Sequence, residues 1–205
     1  MKQSVSTQAL FFCLGLFLIV GCSSAPEVRR TDVGETIDLS GKWNDSDSQL
    51  VADEMILDCL GRPWLDSFKS GHSGKNPTVI VGTVLNRSHE HINTQVFVKN
   101  LERALINSGR VDFVASKDER RELREEKADM QQGFTSSDTA KSLSEEAGAD
   151  YMLTGSVNSI KDQIEGQYVI LYQVNLELIH LESNKKAWIG EKQIKKYVKR
   201  SKYKL

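Results

Sequence analysis

From Gln167 to Leu181 every second residue is apolar: Tyr168, Ile170, Tyr172, Val174, Leu176 and Leu178 fall on one side of an extended chain. Successive strand side chains point to opposite faces, so this spacing predicts a β-strand with one wholly apolar face. Such a strand needs paired neighbours and a layer to cover it. Tyr151 to Ile160 reads as a strand before it, joined by a turn at Glu165-Gly166. Asn184-Lys185 turns the chain into a last strand, from Ala187 to about Val198. Three consecutive strands with short turns predict an antiparallel meander.

The covering layer comes from earlier in the chain. Val51, Met55, Ile56, Cys59 and Leu60 recur at helical spacing behind a capping-box pattern, Ser46-x-x-Gln49, and Gly61 and Pro63 end that helix. Trp64, Leu65 and Phe68 read as one further short turn on the core. Thr78 to Leu85 is a continuous β-branched run, which predicts a strand covered on both faces. Asn93 caps a second helix with Ile92 and Phe97 at the positions of a hydrophobic staple. Its buried stripe is Phe97, Leu101, Ala104 and Leu105, and Gly109 is its left-handed stop. A short strand, Val111 to Ala115, precedes a second capping box, Ser116-x-x-Glu119, that opens a highly charged and therefore exposed helix to about Gln131. Ser137 caps a further helix burying Ala140, Leu143 and Ala147 and ending at Gly148. The expected fold is α/β: a mixed sheet with early parallel crossovers and a C-terminal antiparallel meander, with helices packed on it.

The amino-terminal end predicts an address. Lys2 is followed by an apolar run from Ala9 to Val20, about a dozen residues and too short to span a bilayer, which ends in Ile19-Val20-Gly21-Cys22. This reads as a lipoprotein signal over residues 1–21, with Cys22 lipidated. Acyl chains contribute roughly 0.8 kcal/mol per buried methylene, so several of them anchor the chain durably. Ser23 and Ser24 follow where an aspartate tends to retain bacterial lipoproteins at the inner membrane, so the periplasmic face of the outer membrane is expected. Residues 22–42 read as the lipidated terminus and a disordered tether. Its length is at most about 70 Å, and roughly 25 Å as a flexible coil. Residues 43–205 form one globular α/β domain with a basic tail.

Cys13 leaves with the signal and Cys22 carries lipid, so Cys59 stands alone and reads as a small buried hydrophobe. No intrachain disulfide or cysteine-based metal site can be built. Charge is unevenly placed: Lys185 to Leu205 holds nine Lys and Arg against Glu191. The whole chain carries −1 and the signal +1, which leaves about −10 on residues 22–184. The basic end protects an edge strand or meets an acidic surface. Nucleic acid is not expected as a partner.

Trp43, Asn44 and Asp45 are the candidate partner-binding residues, since an indole beside short polar groups suits an interface. The alternative is that Trp43 plugs the core while Asn44 and Asp45 hydrogen-bond the entrance to the first helix. His89 and His91 flank Glu90, but two histidines in a loop without a third firm ligand make a poor zinc site. No nucleophile elbow, phosphate loop or zincin helix appears, so no catalytic residue, metal or cofactor is expected. A small-ligand site would need a concave pocket with converging polar groups, and the sequence points to none.

Three segments carry a family resemblance together with the lipidation signal. They are Ser40-Gly41-Lys42-Trp43-Asn44-Asp45-Ser46-Asp47-Ser48, Asn86-Arg87-Ser88-His89-Glu90-His91-Ile92-Asn93-Thr94, and Ala147-Gly148-Ala149-Asp150-Tyr151-Met152-Leu153-Thr154-Gly155-Ser156-Val157. From about Ser40 to Lys196 the chain resembles the LpoB family, outer-membrane lipoprotein activators of penicillin-binding proteins. The Gly-Ala-Asp-Tyr segment is shared with the TolB amino-terminal domain and CsgG-type secretion lipoproteins, which implies a TolB amino-terminal-domain-like fold. The resemblance implies a non-enzymatic role: binding a non-catalytic domain of a class A penicillin-binding protein and stimulating peptidoglycan synthesis. The tether of about twenty residues is shorter than the long tether such a protein uses. The alternative function is a subunit or assembly factor of a CsgG-like outer-membrane secretion pore, which needs transmembrane β-hairpins that the sequence does not spare.

Overall fold

A computed structural model of the chain describes residues 29–32, 34–129 and 148–199. The chain divides into two compact units, residues 1–35 and 36–205. In the first, the Thr31 hydroxyl donates to the Glu35 carboxylate and the Gly34 N–H to Asp32 Oδ1 (2.7 Å). The remaining description concerns the second unit.

Helix α1 spans Asp45–Leu60 and buries Val51, Ala52, Met55, Ile56, Cys59 and Leu60, the spacing expected of an amphipathic helix. Its cap is not where the sequence pattern placed it. Asn44 is the N-cap: its Oδ1 accepts from Asp47 N–H (2.9 Å), and Asp47 Oδ2 accepts from Asn44 N–H (2.9 Å). The box is therefore Asn44/Asp47 and not Ser46/Gln49. An asparagine caps as well as a serine, and Asp47 adds a negative charge at the helix's positive end. Helix α2, Pro63–Gly71, starts with proline in its first turn and buries Trp64, Leu65 and Phe68. It is longer than the single turn expected.

Strand β1 is Thr78–Arg87. Val79, Ile80 and Val81 are all buried, as a doubly covered strand requires, but Thr83 and Leu85 are exposed, so that coverage ends halfway. Helix α3, Thr94–Asn107, is capped by Asn93 Oδ1 on Gln95 N–H (3.1 Å) and buries Phe97, Val98, Leu101 and Leu105. Gly109 follows at φ +62°. Strand β2 is only Asp112–Phe113. Helix α4, Lys117–Asp129, opens on the predicted box: Ser116 N–H donates to Glu119 Oε2 (2.8 Å). Its described side chains are mostly exposed, in keeping with their charge. The helix expected from Ser137 to Gly148 falls almost wholly outside the described residues.

Three strands of 14 residues each complete the domain: β3 Tyr151–Ile164, β4 Gln167–His180 and β5 Lys186–Lys199. The sheet order is β2-β1-β3-β4-β5. β1 runs parallel to β2 and β3, while β3, β4 and β5 pair antiparallel, the mixed arrangement read from the sequence. On β4 the apolar side is buried from Ile170 to Leu178, with Tyr168 half-buried. Burying side chains of this size contributes about 1.5–3 kcal/mol each. Helix α1 packs on α3 and β5, and α3 on β1, so the core lies between these helices and one face of the sheet.

Gly155 is dictated by strand pairing. A Cβ there would strike the Asn175 carbonyl oxygen and lie 2.7 Å from Leu176 Cδ2 on β4. At the next layer up, Asp150 ties two parallel strands at their start: its Oδ2 accepts from Thr78 N–H (2.7 Å), and its own N–H donates to Thr78 O (2.8 Å).

Candidate functional site

Two of the three segments that carry the family resemblance, residues 40–48 and 86–94, meet at one corner of the domain, whereas the third begins at the opposite end of β1 and β3, where Asp150 holds Thr78. Residues 38–43 run beside the far ends of β4 and β5. The Tyr168 hydroxyl donates to Ser40 O (2.5 Å), and Gly41, at φ +69°, lies against Val198 with no room for a side chain. Lys196 is the hub. Its Nζ donates to Asp47 Oδ2 (2.6 Å), Asp38 Oδ1 (2.7 Å) and Lys42 O (3.1 Å). Burial works against that ammonium's charge, but its hydrogen bonds to the Asp38 and Asp47 carboxylates outweigh it and hold its pKa above the ordinary lysine value.

Trp43 packs edge-on against Tyr172 (ring centroids 5.5 Å apart) and Phe97 (6.3 Å), and its Nε1–H donates to Ser48 Oγ (2.7 Å). Asn44 is spent on the α1 cap and donates to Asp38 Oδ1 (2.7 Å). Asp45 is exposed in the first turn. The structure thus places Trp43 against the core and Asn44 at the helix entrance, while Asp45 alone of the three faces solvent freely. Cys22 lies outside the described residues.

The loop after β1 folds on its own polar groups. Asn86 Oδ1 accepts from Ser88 N–H (3.0 Å), and Asn86 Nδ2–H donates to Glu90 O (2.8 Å). This turn sends Glu90 back toward Trp43, whose N–H donates to Glu90 Oε2 (3.3 Å). The Tyr172 hydroxyl donates to Gly41 O (3.5 Å) and lies near Glu90. Burial first, and then the nearby Glu90 carboxylate, push the phenol well above its ordinary pKa. His89 is pinned to β3, with its N–H 3.0 Å and its Nδ1 2.9 Å from Ser159 Oγ.

Between these parts lies a cleft of about 420 Å³. Lys42 and Trp43 form one side, the His89-Glu90-His91 loop another, and Ser159, Lys161 and Ile170 the sheet side. This is the concave site with converging polar groups that the sequence did not disclose. Its members are far apart in the chain, and the one local signal was the pair of histidines flanking Glu90. Among the described residues no group of three or more His, Cys, Asp or Glu side chains could hold a metal ion.

Cys59 is 1% exposed on α1, beneath the Trp64 indole, whose Nε1–H donates to Cys59 O (2.7 Å). Burial pushes its thiol up to about 12. It behaves as a core hydrophobe. Among the described residues no helix is long and apolar enough to cross a membrane.

A search of curated protein sequences finds no match. Among solved structures, the chain is similar to the LpoB C-terminal domain from Escherichia coli, at 17% identity over 72% of this chain and 98% of that one, with a TM-score of 0.43. It is also similar to E. coli LpoB solved by NMR, at 15% identity over 98% and 90% of the two chains, with a TM-score of 0.39. Lipoprotein GNA1162 from Neisseria meningitidis follows at 16% identity over 59% and 83%, with a TM-score of 0.37. The family model described as "Peptidoglycan-synthase activator LpoB" matches residues 47–194, from the first turn of α1 into β5. With most of the domain inside that match, the chain belongs to the LpoB family of peptidoglycan-synthase activators.

Proposed function

We propose that this protein is an outer-membrane lipoprotein, acylated at Cys22 and facing the periplasm, whose domain binds a non-catalytic domain of a class A penicillin-binding protein and activates it. The observation that carries this reading is the family match over residues 47–194. The domain does no chemistry of its own. It acts by binding the active conformer of the synthase better than the resting one, since equal affinity for both would shift nothing. The partner contact lies at the Trp43-Asn44-Asp45 corner, where Trp43 and Asn44 fix the backbone from which the exposed Asp45 projects. The secretion-pore alternative is not favoured: β3, β4 and β5 are all paired within one sheet whose apolar face is covered by helices, leaving no spare hairpin among the described strands.

The test is glycan polymerisation by the cognate synthase in detergent. Added full-length protein raises the rate in this reading; an unchanged rate at saturating protein rejects it. Mass spectrometry of the processed amino terminus checks Cys22 acylation independently. Multimeric rings in the same detergent extract would favour the pore.

A further inference from the structure

The cleft beside Trp43 is built for a ligand of a definite kind. Lys42 and Lys161 both line it, and neither forms an ion pair with any of the described residues; the Lys161 ammonium rests 4.9 Å from the centroid of the Tyr168 ring. The one acid in the lining, Glu90, is already engaged by the Trp43 N–H. The wall therefore presents two cations without carboxylate partners among the described residues against one carboxylate held by the Trp43 N–H. The ligand that answers this surplus is an anion.

Shape and polarity narrow the class. Ile170, 4% exposed, and the half-buried Trp43 ring supply apolar surface beside the cations. A carboxylate has more lone pairs than the Trp43 N–H consumes, so Glu90 can still accept an N–H from a bound molecule. Pinned to Ser159 through Nδ1, the His89 ring has a fixed position at the rim. A group carrying a carboxylate, an adjacent amide N–H and a small aliphatic side chain meets all three demands. Inorganic phosphate meets only the first.

We propose that this cleft binds the free C-terminal end of a short peptide, with the carboxylate on Lys42 and Lys161, the last amide N–H on Glu90, and the terminal side chain on Trp43 and Ile170. The cleft shares Trp43 with the proposed partner corner, but the two readings fail distinguishably, because peptide binding and not polymerisation rate is the readout here.

The experiment is NMR titration of the full chain in detergent micelles with three probes: N-acetyl-alanyl-alanine, its C-terminal amide, and inorganic phosphate. The acid is expected to shift the Trp43 indole N–H and the His89 backbone N–H saturably. The amide and phosphate are expected to bind about tenfold or more weakly, as loss of a charge-assisted hydrogen bond predicts. The K42A/K161A variant should weaken the acid by at least about tenfold. The Trp188 indole N–H, held by Asp58 (2.9 Å) far along β5, reports whether the variant keeps its fold. If it does not, Lys161→Gln serves in its place with the same expected direction. No saturable shift with the acid overturns the proposal. So does equal binding of the amide or phosphate, or unchanged affinity in the folded variant.

Discussion

Lys196 Nζ lies 2.6 Å from Asp47 Oδ2, with the lysine side chain 10% exposed and the aspartate 9%. This pair joins the last strand to the first helix cap. The same ammonium also holds Asp38, so the last strand and the segment leading into α1 meet at one charge. Removing one partner of a buried pair strands the other, which costs about 3–5 kcal/mol. Lys196→Ala should therefore lower the urea midpoint strongly, and a loss below about 1 kcal/mol would show that solvent reaches the site.

The register of the α1 cap makes a second prediction. Asn44→Ala removes the side-chain acceptor for Asp47 N–H and should cost about 1 kcal/mol, within the usual range for a lost cap. Ser46→Ala should stay within about 0.5 kcal/mol, as for an ordinary surface change. Chemical denaturation of both variants separates the observed cap from the one two residues later.

Glu119 yields a pH dependence. Hydrogen bonds from Lys99 and then from Ser116 lower its pKa to about 2 in the folded chain. A depressed carboxylate contributes stability that is fully present above the unfolded value, about 4.3, and is lost as pH falls toward about 2. Its side chain is 48% exposed, so screening keeps the contribution under about 1 kcal/mol. Glu119→Gln should flatten the stability curve over that acid range and leave its slope above pH 6 unchanged.

Cys59 should resist alkylation. Its thiol, pushed up to about 12 and 1% exposed, has almost no thiolate at pH 8. Peptide mapping after iodoacetamide should find Cys59 unmodified in the native protein and fully modified in urea. Rapid native labelling would contradict the packing of α1 against Trp64.

Gly155→Ala is the sharpest test of the sheet. The new methyl meets the Asn175 carbonyl of the paired strand, and backbone at that position cannot swing aside. Overpacking of this kind costs about 1–3 kcal/mol, which thermal unfolding will show.

Much of the fold was legible because its signals are local. The alternation on β4 is a period-two burial pattern, and the caps at Asn93 and Ser116 need only neighbouring residues. The α1 cap was misplaced because Ser46/Gln49 and Asn44/Asp47 look equivalent within one turn. What separates them is distant: Lys196, at the far end of the chain, claims Asp47. β3 ran on past Ile160 to Ile164 for a similar reason, since its far end is held by pairing with β4 and not by its own apolar content. The cleft was illegible for the same cause carried further. Lys42, Glu90 and Lys161 share no spacing, and only the packed loop and sheet bring them together.

The clasp of residues 38–42 by β4 and β5 has a mechanical consequence. Any pull arriving along the backbone from before Asp38 meets the Lys196 ammonium and the Tyr168 hydroxyl first. The load then spreads across the edge of a five-stranded sheet, and the opening turn of α1 is spared until those bonds give way.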